Sequence, residues 1–145
     1  MIVLQLRNLM ELNMAIEKVV NSSTTGTFTA KIQGRPDFVP NRVSVFFDGE
    51  YYHCSGLEEG PDTTVFRTLY FHVKHGPSNQ QSTVEQMSYI GRSGHDIEKA
   101  VAKDGTFTID FDAQAQHFKM SFHAVVKDPV FGSFDILGRF DLRNE

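Results

Sequence analysis

The chain has no tryptophan and one cysteine in 145 residues, and it carries no excess of basic charge. Each shortage closes a class of function. A single thiol cannot form an internal disulfide, and it removes every cysteine-based zinc or iron–sulfur pattern. Fourteen basic residues stand against 18 acidic ones, a net charge of −4, so broad attraction to nucleic acid or anionic lipid is not expected. No stretch approaches the roughly 20 consecutive apolar residues that a membrane-crossing helix needs. Familiar catalytic motifs are missing too. Gly91-Arg92-Ser93-Gly94 misplaces the second glycine of a nucleophile elbow, and no glycine-rich phosphate loop occurs. What remains is 40% hydrophobic residues, rich in phenylalanine, mixed with an ordinary 22% of charged ones, which excludes collagen-like and disordered chains. A chain of this length is expected to form one domain over residues 1–145, burying about two-thirds of its unfolded surface.

Near the N-terminus, Asn8 followed by Glu11 fits a helix cap with its reciprocal partner. Leu9, Leu12, Ile16, Val19 and Val20 then share one stripe at helical spacing, so a helix is expected over residues 8–21. The stripe needs a cover. It lies across a sheet of the same chain or, widened by Met10 and Met14, forms a dimer contact through Leu9, Met10, Leu12, Met14 and Ile16. Residues 1–7 do not read as a secretion signal, because Arg7 follows the apolar run instead of preceding it. With the lone cysteine, this points to the cytoplasm. Met1, Met10 and Met14 are each a usable translation start.

After Gly26 the apolar period changes from 3.6 to 2, and an antiparallel β domain is expected over residues 26–142. Asp48-Gly49, between 43–47 and 50–54, is the strongest hairpin signal. A two-residue turn centred there pairs Phe47 with Glu50, Val45 with Tyr52 and Val43 with Cys54. Cys54 and Glu50 then lie on the apolar face, while Phe46, Tyr51 and His53 lie on the other. Residues 65–74 place Leu69, Phe71 and Val73 opposite Phe66, Tyr70 and His72, with Arg67 on the apolar side. Residues 83–90 are a weaker strand. For 96–103, Asp96 as a cap, Ala100-Val101-Ala102 and Gly105 favour a short helix. Three further strands close the chain, the last bearing Phe134, Ile136 and Phe140 on one face, with Gly132 and Gly138 allowing a bend.

These alternations predict an all-β fold: a single antiparallel β-barrel or β-sandwich of about 7–8 strands with one N-terminal α-helix. The expected core is Phe28, Ile32, Val43, Val45, Leu69, Phe71, Phe107, Ile109, Phe111, Phe118, Met120, Phe122, Phe134, Ile136 and Phe140. A helix followed by an antiparallel meander resembles the lipocalins in outline. Their Gly-x-Trp opening has no counterpart in a chain without tryptophan, so no binding residue carries over.

The six histidines do not form a chelate along any one strand. His72 and His75 fall on opposite faces at odd spacing, and His117 and His123 lie roughly 20 Å apart on an extended strand. His53 meets another histidine only through a tertiary contact, which spacing cannot reveal. No metal, cofactor or catalytic residue is therefore assigned. Cys54, expected to be buried, is an inert thiol. The outer-face aromatics and histidines Phe46, Tyr51, His53, Phe66, Tyr70 and His72 would form an unusual patch if left to water, and so mark a ligand or partner surface. The expected function is a non-enzymatic binding or protein-interaction module that self-associates, its partner a second copy, another protein or a small hydrophobic ligand. The alternatives are a barrel carrier of a small hydrophobic ligand and a cofactor-independent barrel enzyme.

Overall fold

Strict alternation of apolar and polar residues, broken by short turns, produces eight consecutive strands in the computed structural model, which describes residues 23–61, 64–76, 82–130 and 132–145. They are β1 (Thr25–Ile32), β2 (Arg42–Phe47), β3 (Tyr51–Glu59), β4 (Val65–Lys74), β5 (Thr83–Ser93), β6 (Asp96–Asp112), β7 (His117–Asp128) and β8 (Gly132–Arg143). All pairings are antiparallel, in the order β1-β8-β7-β6-β5-β4-β3-β2. The single sheet curls into a nearly closed barrel. Its two edges meet where the Val45 amide donates to Thr24 Oγ1 (3.1 Å) and Asn144 Nδ2 donates to the Val45 carbonyl (2.9 Å). The described residues are thus all-β, and of the two architectures left open by the sequence they adopt the barrel. The expected helix over 8–21, with its dimer contact, lies outside the described residues.

The barrel interior is filled. Phe71, fully buried, lies 4.7 Å from Phe122, 5.7 Å from Phe140 and 6.2 Å from Phe28 between ring centroids. Twelve of the fifteen expected core residues are buried, and Val43, Phe107 and Phe111 pack against them half-buried. Phe38, absent from that expectation, is fully buried as well. It belongs to the β1–β2 connection, where no alternation announces it. This connection folds across one barrel end and is pinned by Arg67. The guanidinium donates to the carbonyls of Pro36 (2.7 Å) and Asp37 (2.8 Å) and grips the Glu58 carboxylate at 2.8–2.9 Å. Arg67 accordingly sits at the rim of the apolar side, as its place in the alternation requires.

Two local expectations are corrected. The β2–β3 turn is centred one residue later, on Gly49-Glu50, because the Asp48 carboxylate accepts from the amides of Glu50 (2.9 Å) and Tyr51 (2.7 Å). Gly49 takes φ 107° at the first central position, where a tight hairpin turn often requires glycine. Phe47 therefore pairs with Tyr52 and Val45 with Cys54. The register moves by two residues, which preserves every strand face. Glu50 alone changes surroundings, becoming an exposed turn residue. The short helix expected over 96–103 is instead the first half of β6. Ser93 pairs with Asp96 across a tight turn and Ala100 is buried opposite Tyr89. Pairing to β5 overrides a local helical preference worth only tenths of a kcal/mol per residue.

Cys54 is fully buried, and burial pushes its thiol well above the ordinary range. A disulfide reagent should therefore leave the native protein unlabelled and react fully with one thiol in denaturant. Fast labelling under native conditions would contradict this placement.

Candidate functional site

Register builds the site. Because β2, β3 and β4 are antiparallel neighbours, Phe46 lies opposite His53, and His53 lies opposite His72. Their side chains project from the outer face of the sheet and form a row. The Phe46 and His53 rings stack at 4.5 Å with 8° between planes, and the His53 and His72 rings lie 4.9 Å apart at 28°. Tyr51, one diagonal step away, covers His72 at 4.1 Å. Four rings thus run side by side across three strands. A β-bulge falls where His72 and Val73 pair with Gln86 and Val84 of β5, bending the sheet beside the row.

Hydrogen bonds fix the centre of this row. His53 Nε2 lies 2.7 Å from Asp48 Oδ2, and His53 Nδ1 lies 2.5 Å from the Tyr70 hydroxyl. An ionised carboxylate only accepts, so Nε2 carries a proton toward Asp48, and in the neutral ring Nδ1 accepts from Tyr70. The His53 bond, with the two turn amides, holds the Asp48 carboxyl well below the usual carboxylate range. His72 is shifted downward, chiefly by burial and then by the neighbouring His53. Its Nε2 is shielded from solvent and has no hydrogen-bond partner among the described residues.

Five of the six residues read from the sequence as a ligand or partner surface come together here: Phe46, Tyr51, His53, Tyr70 and His72. Phe66 does not. It lies four residues before Tyr70 on β4, about 13 Å away along an extended strand, between Glu59 and Arg92. Asp48 is the member that sequence reasoning missed. It had a sufficient role as a turn residue, and its reach to His53 depends on the turn being centred one position later.

Three of these residues are of metal-binding type. One donor atom each from Asp48, His53 and His72 lie within 4.8 Å of one another. The line Asp48–His53–Tyr70 also places a carboxylate, an imidazole and a phenol in succession, an order that can polarise a hydroxyl. It stands on a sheet face, and two recesses among the described residues lie elsewhere. Those recesses, about 200 and 310 Å³, open at the barrel end beside Tyr52 and His75. They fall at or below the lower end of the range of roughly 300–1,000 Å³ typical of small-molecule sites.

Comparison with protein-family models, curated proteins and solved structures found no match. No helix among the described residues is long and apolar enough to cross a membrane.

Proposed function

We propose that this protein is a binding module whose working surface is the outer face of β2–β4. The observation that carries this reading is the four-ring row Tyr51–His72–His53–Phe46, clamped by Asp48 and Tyr70. Aromatic rings supply contact area at small entropic cost, and the polar atoms among them set orientation. Rings filling the barrel favour this surface over an internal carrier site, and the small recesses at the barrel end add little to the carrier reading. The two recesses among the described residues lie at the barrel end and do not include Tyr70, which supports a surface contact over an enclosed reaction site. A buried, reduced Cys54 agrees with a cytoplasmic setting. A second copy of the chain is the first partner to test.

Light scattering and crosslinking of the full chain, with Phe46→Ser/Tyr51→Ser beside it, test this reading. Wild type is expected to self-associate or capture a partner, and the double variant to lose that association while keeping its fold. Identical behaviour of the two proteins would overturn it. Leu12→Asp/Ile16→Asp, run in parallel, separates a contact through the N-terminal residues from one through this face.

A further inference from the structure

We infer that Asp48, His53 and His72 form a binding site for a divalent transition-metal ion of the imidazole-preferring class, with zinc as the first member to test. The inference rests on the reading of this face as a binding surface and names what the face binds.

Two imidazoles and one carboxylate are a donor set suited to zinc, nickel or copper, and their donor atoms already form a closed triangle within 4.8 Å. Metal bonds of about 2.0–2.2 Å hold neighbouring tetrahedral donors roughly 3.3–3.5 Å apart. The Asp48–His53 contact of 2.7 Å must therefore open by about 0.6–0.8 Å, and any edge of the triangle near 4.8 Å must shorten. Both changes are side-chain adjustments. Asp48 sits in a turn, and His72 Nε2 is buried with no hydrogen-bond partner among the described residues, a costly state that coordination at that nitrogen would relieve. Three protein ligands on an outer face also leave coordination positions open to water or to a donor from a partner.

The surroundings supply the second layer such a site needs. A metal-bound histidine usually donates its other ring N–H to an oxygen, and the Tyr70 hydroxyl already lies 2.5 Å from His53 Nδ1. In the metal-free ring the proton sits on Nε2, facing Asp48. A metal at Nε2 takes that position, the ring proton moves to Nδ1, and Tyr70 becomes the acceptor. Binding at Nε2 of the neutral ring thus switches the His53 tautomer. Phe46, stacked on His53, and Tyr51, tilted over His72, limit how far either ring can turn away.

The tautomer switch supplies a direct test. Nitrogen-15 imidazole spectra of the full chain are recorded during titration with zinc chloride. The expected result is a one-to-one transition in which His53 changes from the Nε2–H to the Nδ1–H form and His72 shifts with it. Asp48→Asn and His72→Gln are expected to weaken zinc binding by roughly tenfold or more while leaving the backbone amide spectrum in place. His117→Gln, which removes a separate histidine–carboxylate pair with Asp141, is expected to leave the transition unchanged. Tyr70→Phe, which keeps all three ligands, is expected to bind zinc more weakly than wild type. Zinc that leaves the His53 tautomer unchanged, or that perturbs His117 or His123 first, would overturn the inference. Loss of association in Phe46→Ser/Tyr51→Ser would still uphold the binding reading in that event, so the two fail separately.

Discussion

Replacing Phe71 with alanine is expected to lower the free energy of unfolding by about 3–5 kcal/mol, the usual range for deleting a fully buried phenylalanine. Its ring is surrounded by those of Phe28, Phe107, Phe122 and Phe140, from strands β1, β6, β7 and β8. A residue on β4 thereby ties together strands from the far side of the barrel. No single neighbour can collapse into the space without leaving its own contacts. A domain of this size has about 5–15 kcal/mol of stability in total, so the variant stands near the edge of folding. Urea unfolding followed by circular dichroism measures it. Phe46→Ala, on the outer face, should cost about 1 kcal/mol by the same method, within the ordinary range for single substitutions. Equal losses at the two positions would contradict the filled interior.

Gly138→Val is the second large effect, and its sign is diagnostic. Valine is among the best strand formers, so intrinsic preference alone predicts a gain. A Cβ at this position, however, would lie 2.5 Å from the Thr29 carbonyl oxygen, 2.7 Å from the Ala30 Cβ and 2.8 Å from Phe122 Cζ. Gly138 pairs with Ala30 on one side and Phe122 on the other. Relief requires β1 to move relative to β8. Overpacking of this kind costs about 1–3 kcal/mol and occasionally more, and valine's branches place it at the upper end. Denaturant titration of Gly138→Ala and Gly138→Val should show losses in that order. A stabilised valine variant would contradict the close approach of β1 and β8.

The contrast between these positions shows how the fold was written in the chain. Side-chain parity is a local signal, so Phe71, Phe122 and Phe140 could be assigned to the interior without knowing which strands are neighbours. Parity also survived the displaced β2–β3 turn, since a shift of two residues returns each side chain to its own face. Residues 96–103 carried a competing local signal, and only the partner strand β5 decided it. Phe38 had no periodic context at all. The site was half legible for the same reason. That Phe46, Tyr51, His53, Tyr70 and His72 point outward follows from parity, whereas the His53–His72 pair and the Asp48 contact depend on pairing between strands and on the position of one turn.

Imidazole spectra of the metal-free protein test most directly whether this face is a built site. With Asp48 and Tyr70 holding the two nitrogens of His53, its ring should appear as a single Nε2–H tautomer, with magnetisation transfer to the rings of Phe46 and His72. Asp48→Asn should perturb that signal while the backbone spectrum holds. A His53 ring that averages between tautomers, with no contact to Phe46 or His72, would show an ordinary solvated sheet face.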